Sequence, residues 1–389
     1  MPTVEERLAA LEAKLAQLTD TTPTTYYTHQ YSGEEIDNAV SRALPNGAID
    51  QAVGTFVRPN LLDNWYFGNP VDQRGGYVVY AGANLYTDAS CTTVAGQVAG
   101  GPYAARAISA ICVSFTSNAT YYCKIGDTGV VRGYTDTGYT VDRWLTDIDN
   151  GGAVLVGSNG ITLSAASMYW GERLTNIAVL SGRTMTASVL MSDGSIFHGT
   201  VVISWGLNVP QSFFNNGFIS VYVNKIDNDL AQFEIATNTA NVALIAAKLE
   251  LGPTQTLAHR EGDKWVINEV PEYGNQLRRC QRYAIDLHGP TNYGVLGSGV
   301  ARRTDRASIF CPLPVSMRVT PVATFGGSLT LASDADAGRG YVVTAVNVDH
   351  INSNGITLNV DTAGLTISTV YQLWRQGDAS AHILLSADL

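Results

Sequence analysis

Three aspartates crowd the segment VDRWLTDIDNGG: Asp142, Asp147 and Asp149. Two carboxylates flanking a sugar bond are what glycoside hydrolysis needs. Aspartates between strands also shape turns, because their side chains bond the backbone just ahead of them. The turn is the plainer reading. Asp227 and Asp229 in KIDNDL, and Asp334 and Asp336 in SDADAGRG, offer oxygen ligands of the kind calcium takes. Neither pair completes an EF-hand loop, and both read as solvated loops. The chain has no usable GxSxG elbow, no HExxH, no GxGxxG ahead of a helix and no phosphate-binding GxxxxGK[ST]. The expectation is a protein without catalytic residues, metal or cofactor.

Aromatic residues carry the stronger chemical signal. There are 19 Tyr and 6 Trp against 10 Phe. Tyr and Trp present a flat apolar face with a polar handle, which suits stacking on the C–H face of a sugar ring. Trp144, Trp170 and Trp205, taken singly, read better as plugs of a sandwich core. Six arginines, Arg278, Arg279, Arg282, Arg302, Arg303 and Arg306, lie close together in the sequence. Their forks would suit an anionic polymer. A solvated helix face beside a salt-bridged loop is the plainer alternative. The residues expected to bind ligand are Tyr293, Arg302, Arg303 and Trp374 near the C-terminus, with Tyr169 and Trp170 as the second choice.

These residues need elements to hold them. Val4, Leu8, Leu11, Leu15 and Leu18 recur at heptad spacing, with Leu8 and Leu15 at a and the others at d. Arg7 and Lys14 fall at g, Glu5 and Glu12 at e. This is a parallel coiled coil or a lone amphipathic helix folded on the body. Pro23 and the run of threonines end it. SGEEIDNAVSRAL predicts a second helix, with Ser32 and Glu35 as its capping box and Ile36, Val40 and Leu44 on one face. From Asn60 the pattern turns to short alternating runs between Gly, Asn and Asp turns, which predicts antiparallel sandwiches or jelly rolls. Asp193-Gly194 marks a hairpin. The hexamer SNGITL occurs at 158–163 and again at 353–358. It marks equivalent turns in two related domains, or only the frequency of Asn-Gly before strands. One helix is expected in EVPEYGNQLRRCQRYA, with Tyr273, Leu277, Cys280 and Ala284 along its stripe. The resulting division is a coiled coil at 1–20, a linker with a short helix at 21–58, a sandwich at 59–258 and a second sandwich at 259–389.

Composition narrows the classes of function. The net charge is -10 over 389 residues, a poor match for nucleic acid, whose binders carry basic stripes. No apolar run reaches the length of a membrane span. The charged N-terminus is not a secretory signal, so the chain is expected to be made in the cytosol and released by another route. The five cysteines are odd in number and contain no CxxC. They read as small buried hydrophobes and not as a disulfide framework.

NLLDNWYFGNPVDQRGGY, GYTVDRW, AAKLELGPTQTLAHREGDKWVINEVPEYGNQLRRCQRY and FCPLPVSMRVTP, together with YSGEEIDNAVSRA, resemble phage and prophage tail-fibre or receptor-binding proteins of gut Gram-positive hosts. The resemblance runs from about residue 31 to 320. It implies a homotrimer with the N-terminal part toward the other tail or baseplate proteins. It also implies a carbohydrate-binding-module-like sandwich in the middle and an outermost C-terminal β domain. The expected partner outside the virion is a host surface polysaccharide, held reversibly and multivalently. A tail-associated glycan hydrolase and a purely structural fibre segment are the alternatives. The resemblance supplies no catalytic residues.

Overall fold

The computed structural model describes residues 58–389, apart from short stretches at 89, 108–111, 117–119, 136, 148–151, 206–208, 289–293, 334–339, 353, 376–380 and 388–389. The heptad residues Val4, Leu8, Leu11, Leu15 and Leu18 and the capped helix at 32–44 lie outside the described residues. The chain is mainly β, built from antiparallel sheets with one α-helix among the described residues.

A six-stranded sheet runs in the order Gln211–Asn215, Ile219–Lys225, Leu230–Thr237, Tyr169–Thr175, Trp144–Asp147, Gly138–Tyr139. It faces one end of a twelve-stranded sheet formed by Ile196–Val202, Thr184–Met191, Val242–Leu251, Gly160–Leu163 and Val154–Gly157. The alternation is read directly from the sequence. In Ile219–Lys225, Ile219, Val221 and Val223 point in, while Ser220, Tyr222 and Asn224 point out. Inward residues of both sheets share one apolar core that includes Phe67, Trp144, Trp170, Phe233, Leu244 and Leu249. Trp144 and Trp170 stack at 4.3 Å, with Phe67 edge-on to Trp144 at 5.0 Å. Trp170 donates its indole N–H to Thr140 Oγ1 at 3.0 Å, so its polar handle is satisfied inside.

The far end of the twelve-stranded sheet, from Val130–Tyr134 to Val94–Gln97, wraps a smaller core of Val79, Ala83, Val98, Ala105, Val113, Cys123 and Val130. The C-terminal part pairs a seven-stranded sheet with a three-stranded one around Ile285, Ile309, Leu358, Tyr371 and Leu385. The hairpin Ala258–Glu261 with Lys264–Ile267 packs Trp265 and Ile267 on the first core. Helix α1, Tyr273–Gln281, follows it. Glu272 caps α1, accepting from Gly274 N and Asn275 N at 2.8 Å each.

Several local expectations meet the structure. Asp193 Oδ1 accepts from Ser195 N at 2.8 Å, and Gly194 takes φ 84°, closing the Asp-Gly hairpin. The two SNGITL copies do the same local job. Each leads into a strand from a tight hairpin, closed by the Gly157–Gly160 pair in one case and Asn352–Gly355 in the other. Each then begins a strand on a buried glycine with the same in-out pattern. Two expectations are corrected. Cys91 is disulfide-bonded, while Cys123, Cys280 and Cys311 are free and buried. The buried stripe of α1 is Gln276 and Cys280, because Tyr273 faces out and Ala284 already belongs to the next strand.

Removing a fully buried aromatic leaves a cavity that the close-packed stack cannot refill. Trp170→Ala is therefore expected to lower the unfolding free energy by about 3–5 kcal/mol. Tyr169→Ala, one residue away on the open face, is expected to change it by less than about 1 kcal/mol. Urea unfolding of the two variants beside the parent chain checks this.

Candidate functional site

Four segments far apart in the chain meet at the mouth of the middle sandwich. They are Asp63-Asn64-Trp65, Gln73-Arg74-Gly75, Asp142-Arg143-Trp144 and Gln276 to Tyr283. Asn64 takes the left-handed conformation with φ 51°, which Asn tolerates. Its amide donates to Val71 O at 2.8 Å and Asp142 O at 2.7 Å, and its oxygen accepts from Val71 N at 2.7 Å. Asn64 N donates to Gln276 Oε1 at 2.9 Å, which fastens α1 to the sandwich. Gln73 Nε2 donates to Asp142 Oδ2 at 2.5 Å and to Ala284 O at 2.9 Å.

Charge is buried at the centre of this junction. Arg143 and Glu172 are 3% and 1% exposed, with Arg143 Nη2 3.0 Å from Glu172 Oε1. Arg143 Nη2 also donates to Arg173 O at 2.8 Å, and its guanidinium lies 3.5 Å over the Tyr283 ring. Glu172 Oε2 accepts from Asp63 N at 2.9 Å. Asp63 in turn takes Arg279 Nη2 at 2.5 Å. Burial pushes the Glu172 carboxyl well up, and the Arg143 guanidinium pulls it the other way. Burial also pushes Asp142 up to about 7, against the hydrogen bonds from Gln73.

That environment answers the sequence reading of Asp142. Its carboxyl is buried and held by Gln73, so it does not stand open to a sugar bond. Asp149 lies outside the described residues, and Asp147 is described only as the end of its strand. Asp227 shapes a turn, accepting from Asp229 N and Leu230 N at 2.8 Å each.

The expected binding residues do not converge. Tyr293 lies outside the described residues. Arg302 and Arg303 are exposed beside the hairpin tip, where Arg303 pairs with Asp305 at 3.0 Å and Arg306 with Asp361 at 2.5 Å. Trp374 pairs with Val295 at the other end of the same sheet. The run from Val295 to Arg302 spans about 20 Å at the usual strand rise, so Trp374 and the two arginines do not share one sugar-sized site. Tyr169 and Trp170 point to opposite faces, as neighbours in a strand must. Trp170 is a core residue and is corrected as a ligand contact; Tyr169 is 45% exposed.

Tyr169 stands on the outer face of the six-stranded sheet, and the strand register shows its company. One row across the face is Ser212, Tyr222, Glu234, Gly171, Leu145 and Tyr139. The next row holds Ser220, Ala236 and Tyr169. Asn224, Gln232 and Arg173 line the other side. Burial raises the Tyr222 hydroxyl above its usual range, and its hydrogen bond to the Glu234 carboxylate raises it further. A Cβ on Gly171 would sit 2.1 Å from Phe233 O, so only glycine fits there, and it leaves a dip between Glu234 and Leu145. The face is an aromatic and hydrogen-bonding platform. The sequence reading missed Tyr222, Glu234 and Gly171, although the strict alternation in ISVYVNK and LAQFEIAT marks their outward faces.

Asp142 supplies a pH test of the junction. Its folded value of about 7 lies above the ~3.9 of an unfolded aspartate. The native state therefore holds the proton more tightly, and this contribution is full below pH ~4 and fades as pH rises through about 7. Asp142→Asn is expected to flatten the fall in stability between about pH 4 and 8, by at most ~1.4 kcal/mol per pH unit. Urea midpoints measured across that range check it; an unchanged slope would mean that Asp142 is not protonated in the fold.

No family model, curated protein or solved structure matches this chain.

Proposed function

We propose that this chain is a phage tail-fibre receptor-binding protein. It is a non-enzymatic homotrimer that attaches the virion to a host surface polysaccharide and acts as part of the tail fibre after synthesis in the host cytoplasm. The observation that carries the reading is the outer face of the six-stranded sheet. Tyr169 and Tyr222 offer ring faces to the C–H side of a sugar. Ser220, Asn224, Gln232 and Glu234 supply donors and acceptors for hydroxyls around them. The face sits on paired strands and not on loops, so the side chains are held before ligand arrives, which lowers the ordering cost of binding.

The mechanism is reversible adhesion. A single shallow platform binds a sugar weakly. Three copies joined by the N-terminal heptads convert the second and third contacts into intramolecular ones, which multiplies avidity without new chemistry. The resemblance of the DNW, QRG, DRW and NQLRRCQRY segments to tail-fibre proteins supports the class of job.

Two measurements test this reading. Tyr169→Ala and Tyr222→Ala are each expected to weaken binding of the full chain to host-wall polysaccharide by about tenfold, with melting temperature unchanged. Full binding by the double variant would remove the sheet face as the site, and release of reducing ends from the polysaccharide would remove the non-enzymatic reading. Light scattering should return three times the 41.6 kDa chain mass; a monomer would undo the fibre reading.

A further inference from the structure

An antiparallel sheet that covers a core with one face normally turns polar residues to water on the other. The seven-stranded sheet of the C-terminal part does not. Its inward residues, such as Ile309, Leu358 and Tyr371, fill the core. Its outward face is apolar as well. Val300 and Val370 are cross-strand partners there, 42% and 60% exposed. Phe310, Val295 and Val342 stand on the same side, each about half exposed or more.

Charge is missing from this face. Its five central strands hold Thr330–Ala332, Val370–Trp374, 295–301, 307–312 and 355–360, and none of these residues is Asp, Glu, Lys or Arg. The charges lie around them. Arg302 and the Arg306–Asp361 pair mark one end, and Asp349 and His350 sit on the edge strand Ala345–Asn352. An uncharged centre with aromatic and apolar groups inside a charged rim is the make-up of a protein–protein interface.

The outward aromatics are prepared for a dry contact. Trp374 donates its indole N–H to Gln372 Oε1 at 3.0 Å, so its polar handle is met within its own strand. The Phe310 ring lies across Gly355 of the next strand, where a Cβ would come within 2.5 Å of it. The size of the face also fits. Seven strands ~4.8 Å apart, each about six residues deep at a ~3.3 Å rise, present roughly 600–700 Å². Two such faces bury roughly 1,200 Å² or more, above the ~1,000 Å² that a specific interface clears.

We propose that the outward face of the seven-stranded sheet packs against the same face of neighbouring copies of this chain. A parallel association brings the same domain of each copy to the same height, so the surface of matching size and matching lack of charge is this face itself. A charged partner would find no counter-charge on it. The proposal rests on the homotrimer part of the reading above and not on glycan adhesion. It gives the assembly a second interface, independent of the heptads.

Sedimentation velocity of the full chain tests this, with three sets of variants. Leu8→Asp with Leu15→Asp ruins the heptad seam, and the chain should still associate. Val300→Lys with Val370→Lys sets like charges against one another, and should raise the dissociation constant of the parent assembly by about a hundredfold or more. All four substitutions together should give a monomer of 41.6 kDa with the circular dichroism spectrum of the parent. Ser298→Lys is the milder check, because it alters a residue that is already polar and exposed between Gln372 and Phe310; it too should weaken association. A monomer from the heptad variant alone, or parental association of the Val300→Lys/Val370→Lys and Ser298→Lys chains, would overturn the proposal. So would a parental mass with lost polysaccharide binding in those chains, which would make the face a sugar site. A monomeric parent would remove this interface and the fibre reading together, whereas a trimeric parent that no face variant disturbs would remove the interface alone.

Discussion

The Arg143–Glu172 pair is the interaction on which the rest of the described structure hangs. Both groups are almost entirely removed from water. Taking two charges out of water costs several kcal/mol per ion, and mutual attraction offsets this only when the remaining donors and acceptors are also met. Here the neighbours meet most of them. Asp63 N and the Arg143 fork share Glu172, Arg173 O takes Arg143 Nη2, and Tyr283 lies flat against the guanidinium. Hydrophobic residues of similar volume would hold the sandwich at least as well. What they would not supply is direction. Each of these bonds fixes one chain segment at one angle, so the pair specifies how four segments meet more than it adds to stability.

The consequences spread outward through uncharged side chains. Asn64 closes the turn from Asp63 to Val71 and holds the Asp142 carbonyl. Gln73 reaches from the start of the side lobe to Asp142 and on to Ala284, where the C-terminal strands begin. Gln276 ties α1 to Asn64. Arg318 N donates to Arg282 O at 2.9 Å, so the C-terminal part is anchored to the same linker. Buried polar networks are stabilising only when fully satisfied. Arg143 Nη1 and Arg173 Nε are buried without a hydrogen-bond partner.

Much of this was legible in the sequence, but unevenly. The alternation of apolar and polar residues gave the β class, the Asp193-Gly194 hairpin and the inward faces, because strand periodicity is local physics. The DNW, QRG, DRW and NQLRRCQRY segments, spread from Asp63 to Tyr283, build one junction in the structure, a convergence that their spacing in the sequence does not show. The outer-face site was not legible. Alternation says that Tyr222 and Glu234 point out; it does not say that their strands are neighbours of the one carrying Tyr169. That requires the register, a non-local property set by packing. The choice of Trp170 failed for a related reason. Residue type marked it as a stacking group, but its place on the inward side of its strand made it part of the core. The Cys91 disulfide escaped because an odd count with no paired motif hides a single bridge among buried free thiols.

A rigid junction also fixes distances on the sheet face beside it. Tyr169, Gly171 and Arg173 stand on one face of one strand, separated by about 13 Å from first to last at the usual strand rise. Their spacing is set by backbone pairing on both sides, to Asp147–Trp144 and to Ala236–Gln232, and by the Arg143–Arg173 O bond at the far end. On the proposed adhesion reading, a ring laid on Tyr169 would meet the Gly171 dip and then Arg173 at fixed intervals along this line, so the strand geometry and not solution would set the effective concentration of any second contact.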